Sequence, residues 1–127
     1  QSTNPIIFVS DADMSLPKDL VKRCNSFVFS KNVWFPVCFH LNKDMQEGYD
    51  KENGMWYPVG KGMFAAKKTD FVNIGMYDES IKQWGGEDWE LWFRFYKNGF
   101  FPYRNRQKGL YHHYHISLKP EKFVPYK

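Results

Sequence analysis

Cysteine is nearly absent. Cys24 and Cys38 are the only two, too few to define a disulfide framework, so the fold must rest on its packed core. No apolar run approaches the roughly 20 residues that span a bilayer, and no stretch has the layout of a signal peptide. Membrane contact by this segment is therefore not expected. Asn-X-Ser/Thr acceptor sites, internal repeats and low-complexity tracts are missing too, and no motif supports nucleic-acid binding. The chain opens with Gln1 rather than Met and enters an apolar run almost at once. It reads as a piece of a longer chain, so missing targeting signals say little about the parent protein.

What is present points to a packed globular unit. The 127 residues suffice for one domain with a core, and 43% are hydrophobic, which excludes a disordered segment or a fibre. Aromatic residues reach 20%, enough to fill a core and leave flat rings as sugar platforms. The net charge of +4 is denser late in the chain, at Arg104, Arg106, Lys108, Lys119, Lys122 and Lys127. That suits a phosphate-bearing donor or polyanionic acceptor, and equally an ordinary solvated face.

Taken in order, the pattern predicts a buried, central strand over 5–9, then a helix over about 16–27 capped by Ser15 with Pro17 in its first turn. A second strand follows over 33–39, with Pro36 marking an edge or bulge. Residues 41–57 read as a long polar loop, and the Gly60-Lys61-Gly62 stretch permits close backbone approach. A short helix over 69–74 ends at Gly75. A third helix opens after Trp84-Gly85-Gly86, and Asn98-Gly99 closes it. Its Glu90, Arg94 and Lys97 form one narrow polar stripe, with Glu90 and Arg94 one turn apart, and the remaining face predicts burial on most sides. Strands over 100–104 and 109–115 complete the chain.

Three clusters carry chemistry. Asp11 and Asp13 lie at the C-terminal end of a strand, where open α/β sheets bind ligands, and such oxygen donors suit Mn²⁺ or Mg²⁺. An Asp-X-Asp serves equally as a turn or cap. Histidine is scarce, yet three of the four gather at His112, His113 and His115. One histidine alone is usually structural; three together favour metal or phosphate chemistry. Glu87 and Asp88 open a helix, where unsatisfied N–H groups favour acids. One of the two caps it, and the other is free to act as a general base beside Trp84.

Their order is more specific than any one of them. Phe8-Val9-Ser10-Asp11-Ala12-Asp13, the glycine-rich stretch, Phe71-Val72-Asn73-Ile74-Gly75-Met76-Tyr77-Asp78, Trp84-Gly85-Gly86-Glu87-Asp88 and His112-X-X-His115 resemble the inverting β1,4-galactosyltransferase and N-acetylgalactosaminyltransferase family over about residues 6–115. Gly86-Glu87-Asp88-Trp89-Glu90-Leu91, with the later Tyr111-His112-His113-Tyr114-His115, is similar to its chondroitin-synthase branch. The resemblance implies an α/β fold of the GT-A type and metal-dependent single displacement with inversion. The donor would be UDP-GalNAc or UDP-Gal, and the acceptor a carbohydrate. It assigns Asp88 as base and Trp84, Gly85, Gly86 and Glu87 as sugar-binding residues. Asp11 falls to the nucleotide or metal shell, and Asp13, His112 and His115 to Mn²⁺ or Mg²⁺. In that family nucleotide-binding βα units precede the Asp-X-Asp strand. The chain, as one domain over 1–127, therefore reads as the C-terminal part of a catalytic domain. A eukaryotic source implies the Golgi lumen, and a bacterial or viral one the cytoplasm. Two other classes compete: a non-catalytic carbohydrate-binding module, and a metal-dependent phosphoester hydrolase that leaves Trp84–Asp88 without a task.

Overall fold

Short apolar runs broken by Pro, Gly and Asn build short strands. The computed structural model describes residues 5–50, 52–82 and 86–114. The elements are β1 (Ile6–Val9), β2 (Met14–Ser15), α1 (Leu20–Phe27), β3 (Asn32–Trp34), β4 (Val37–Leu41) and β5 (Gly54–Tyr57), then β6 (Phe64–Lys67), α2 (Lys68–Asn73), α3 (Gly86–Lys97), β7 (Phe101–Tyr103) and β8 (Arg106–His112). Among the described residues the strands form two four-stranded sheets, ordered β1-β6-β3-β7 and β2-β8-β4-β5. Each is mixed, with β3–β7 and β4–β8 parallel and the other pairs antiparallel. The expected mixed α/β class is what forms. No helix among the described residues is long and apolar enough to cross a membrane.

The strand expected over 33–39 is two strands in different sheets. Pro36 has no N–H to offer a ladder, and there the chain leaves the first sheet and enters the second. The β7–β8 connection turns the same corner alongside it. The Phe35 amide donates to Tyr103 O at 2.8 Å and the Val37 amide to Asn105 O at 2.8 Å. Trp34 Nε1 donates to Asn105 Oδ1 at 2.8 Å, pinning the corner from a buried ring.

Alternation along the strands divides the core. Val33, Phe35, Phe64 and Ala66 face α3, where they meet Leu91 and Phe95, with Phe100 from just beyond the helix in the same cluster. Trp34 and Ala65 face the other way, toward Cys24 and Val28 at α1. Each large side chain so buried contributes on the order of 1.5–3 kcal/mol. Both cysteines are buried free thiols, and burial pushes each up to about 11. They act as small core residues.

Several expectations need correcting. β1 is half-buried, and among the described residues it pairs only with β6 at the sheet edge. α1 starts at Leu20, and Ser15 does not cap it. Met14 and Ser15 stay extended because they pair with His112 and Tyr111, and the Ser15 hydroxyl meets His113 Nε2 at 2.5 Å. The loop over 41–57 is shorter than expected, since β5 pairs back on β4. Tyr49 anchors that loop by stacking on Trp56 and Tyr111, and its hydroxyl accepts from the Gly109 amide at 2.6 Å. α3 is less buried than its composition suggested. Leu91 and Phe95, one turn apart, face the core, while Phe93 and Tyr96 are 36% and 63% exposed. The predicted Glu90–Arg94 pair forms. Arg94 also donates to Ile74 O at 2.8 Å and Met76 O at 2.6 Å, tying the segment after α2 to α3.

Gly54 is fixed by close approach. A methyl group there would lie 1.8 Å from His40 O, a backbone atom that cannot swing away. Gly54→Ala is expected to cost at least the roughly 1–3 kcal/mol typical of overpacking, read as a lower denaturant midpoint. An unchanged midpoint would show that the β4–β5 approach is not this tight.

Candidate catalytic and metal site

The Asp-X-Asp segment leaves β1 with its two acids pointing to different neighbours. Asp13 turns toward β8. Its Oδ2 lies 3.0 Å from His112 Nε2, and its backbone carbonyl accepts from the His113 amide at 3.1 Å. The His112 ring stacks on His40 at 4.3 Å, and His40 stacks on Tyr57 at 4.3 Å. His113 faces away, with Ser15 Oγ at 2.5 Å and Glu47 Oε2 at 3.9 Å, both on the same ring nitrogen. With both partners on one nitrogen, the three cannot act as a Ser–His–acid relay.

The chemistry of this donor pair fits a hard divalent cation. Adjacent corners of an octahedron with bonds of about 2.1 Å lie about 3.0 Å apart, which is the Asp13–His112 spacing. Among the described residues, no group of three or more His, Cys, Asp or Glu side chains is arranged to hold a metal ion. His115, expected as a third ligand, lies outside the described residues, as do Trp84 and Gly85.

Asp11 turns the other way, toward the start of α3. Gly86 is buried there, and Glu87 and Asp88 occupy the first turn. Gly62 comes between the acids: a methyl group on it would sit 3.3 Å from Asp88 Oδ2 and 3.8 Å from Asp11 Oδ2. The glycine thus allows the backbone to close over both carboxylates. A helix N-terminus favours an ionised acid, yet here the opposite effects win. Burial, followed by the charges of Glu87 and Asp11, pushes Asp88 up to about 7. Burial also raises the Tyr77 phenol, with Asp88, Glu87 and Asp11 acting in the same direction, so it stays protonated near neutrality.

The strap carrying Gly62 is held from both ends. Arg104 donates to Pro58 O and Gly60 O, each at 2.9 Å. Lys61 Nζ sits 3.7 Å from the centre of the Trp89 ring and 5.1 Å from that of Trp92, a cation–π contact. Burial and the nearby Arg104 bring the ammonium down to about 8. Sequence reading missed Lys61, Arg104, Tyr77 and His40 as parts of this region. The one available signal was Lys61 between two glycines, a long cation on a strap already marked for close approach. A groove of about 690 Å³ is lined by Tyr77 together with Phe71, Ile74, Met76, Asp78 and Arg94. Neither Asp11 nor Asp88 lines it, and its one strong cation is held by Glu90, so it is not the chemical centre.

The structure therefore brings Asp11, Glu87 and Asp88 together in one group and Asp13 with His112 in a second, with Ala12 between them. Curated relatives align with nearly the whole chain. Human chondroitin sulfate N-acetylgalactosaminyltransferase 1 is 29% identical over 140 residues, covering 98% of this chain and 26% of its own length. Mouse chondroitin sulfate synthase 3 is 29% identical over 122 residues, covering 87% of the chain and 14% of its own. Mouse N-acetyl-beta-glucosaminyl-glycoprotein 4-beta-N-acetylgalactosaminyltransferase 1 is 34% identical over 121 residues, covering 91% and 11%. The chain thus spans about a quarter or less of these curated relatives. No solved structure matches it significantly. The pattern of the chondroitin N-acetylgalactosaminyltransferase family matches residues 1–120, nearly the whole chain, and the chain belongs to that family.

Proposed function

We propose that the chain is part of a GT-A-type, inverting glycosyltransferase centre that moves GalNAc from UDP-GalNAc to a carbohydrate acceptor, with Asp88 as general base. The names of the relatives favour GalNAc over Gal. For location, the proposal follows the same kinship to the Golgi lumen. The observation that carries the reading is Asp88: a carboxyl at about 7, at a helix start, facing Asp11 across Gly62.

A sugar hydroxyl is a poor nucleophile until its proton is removed as the new bond forms. In this reading Asp88 accepts that proton while the acceptor oxygen attacks the anomeric carbon. UDP departs from the opposite face, which inverts the configuration. A base near 7 is matched to neutral pH, unlike an ordinary Asp near 3.8. Asp13 and His112 would hold Mn²⁺ or Mg²⁺, joined by His115. When bound, the cation supplies positive charge to the departing diphosphate. Glu87 sits beside Asp88 to bind a sugar hydroxyl, and Trp84, Gly85 and Gly86 would line the same sugar subsite. Asp11 belongs to the nucleotide side. The Pro58–Gly62 strap, held by Arg104 and Lys61, shields the base from water.

Three outcomes are expected from the full-length protein. Asp88→Asn lowers transfer by about 10²–10⁴-fold with the fold retained; near-normal turnover would remove Asp88 from this role. In the wild type, kcat/KM falls about tenfold per unit below pH 7 as the base is protonated, and a flat profile from pH 5.5 to 8 would count against it. Asp13→Ala and His112→Ala lose activation across an Mn²⁺ titration, whereas unaltered activation would remove the pair from the metal.

Stability gives a separate check of Asp88. Its folded-state value is raised above the unfolded one, so the stabilisation from its neutral form is complete below the unfolded value near 3.8 and is lost as pH rises through about 7. Asp88→Asn removes that loss. Its melting temperature relative to wild type is expected to rise between pH 5 and pH 8 in metal-free buffer; a constant difference would mean that Asp88 is not perturbed.

A further inference from the structure

Three rings and one carboxylate line up where β4, β5 and β8 meet. His40 and His112 are register partners on parallel neighbouring strands, so both side chains rise from one face of the second sheet. Their rings stack at 4.3 Å with planes 24° apart, and Tyr57 covers the far face of His40 at 4.3 Å and 26°. Asp13 Oδ2 meets His112 at the Nε2 edge, 3.0 Å away. Tyr57 in turn comes from β5, held by the pairing of β4 with β5. Resting on the proposed metal role of Asp13 and His112, we propose that His40 is a positioning residue: its ring, backed by Tyr57, fixes the plane of the His112 imidazole and so its lone pair toward the cation.

The geometry separates this role from direct ligation. An imidazole nitrogen offers its lone pair in the ring plane. Two rings that are nearly parallel and stacked send their lone pairs side by side, so they do not converge on one ion. His112 already has Asp13 at its edge, at the spacing of neighbouring ligands. In the stack His40 offers His112 a flat face. A histidine ligand gains affinity when a neighbour restricts its orientation, and loss of such support typically costs about 10–100-fold in metal affinity. The support that His40 gives His112 through the stack comes from its flat surface, which an aromatic hydrocarbon ring reproduces. Sequence reading passed over His40 because it lies far from the later histidines along the chain, and only parallel pairing brings it beside His112.

The test is Mn²⁺ binding by the full-length protein, followed by the EPR signal of free Mn²⁺, with nitrogen modulation of bound Mn²⁺ counting the imidazoles. His40→Ala is expected to weaken Mn²⁺ binding about tenfold or more, while His40→Phe stays within about threefold of wild type and leaves the imidazole count unchanged. Loss of one imidazole in His40→Phe would overturn the proposal by making His40 a ligand, and this reading does not depend on His40→Ala folding. Wild-type affinity in His40→Ala, with a normal melting curve, would overturn it equally. Asp13→Ala and His112→Ala serve as the control for the underlying metal role. If both bind Mn²⁺ as wild type does, the metal reading itself fails; if both lose it while His40→Ala does not, only the stack is wrong.

Discussion

The parallel corner at Phe35-Pro36 and Arg104-Asn105 organises the rest of the molecule. Two segments that are distant in sequence cross from the first sheet to the second side by side, bonded through Phe35 to Tyr103 O and Val37 to Asn105 O. Neither could change sheets alone without leaving backbone groups unpaired. Because they turn together, β4 and β8 emerge in parallel, and His40 and His112 arrive at one level. Just before its own turn the same chain has passed through α3, so Asp88 is set on one side of the corner and His112 on the other. Arg104 at the bend then reaches the Pro58–Gly62 strap. One change of sheet thus fixes the strap, the stack and the start of the helix.

α3 shows how a buried stripe and a functional end are joined. Leu91 and Phe95 anchor the helix in the first core. The Glu90–Arg94 pair extends that anchor to the segment after α2 through Ile74 O and Met76 O. With its middle held, the first turn presents Glu87 and Asp88 with little freedom. Trp89 and Trp92 lie on the flank, where Lys61 covers them. The aromatic richness of the helix therefore serves two ends: part of it fills the core, and part forms the bed on which the strap rests.

Legibility followed the range of the interactions. The ends of α2 and α3 were readable because local chemistry sets them, with Gly75 and Gly99 both at positive φ. The Glu90–Arg94 pair was readable for the same reason. The mixed α/β class was readable from strand-sized apolar runs between helical periods. The split at Pro36 was not, since seven apolar residues in a row look alike whether they stay in one sheet or change to another. Nor was the edge position of β1, because an apolar run states its preference for burial and not which neighbours cover it. Asp11, Asp13, Glu87, Asp88 and His112 stood out by residue type and order. Lys61, Arg104 and His40 did not, because each gains its meaning from a partner brought close only by the fold.

The separation of the two acids at the end of β1 explains how one short segment can serve two opposed electrostatic needs. A cation site needs an ionised carboxylate with compatible donors beside it, and Asp13 has His112 at 3.0 Å. A base at neutral pH needs the reverse, a carboxylate whose charge is made costly. Asp88 has burial, Glu87 and Asp11 for that purpose, and burial is the largest of the three. Asp11 is thus a source of repulsion at one end of the site while its neighbour two residues on is a source of attraction at the other. Had both acids faced β8, Asp88 would lose a like charge and become a weaker base. Had both faced α3, His112 would lose its carboxylate. In an extended strand residues two apart share a face; the turn at Ala12 and Asp13 after β1 breaks that alternation and separates the two acids, and Gly62 leaves the room in which Asp11 and Asp88 can be close enough to interact.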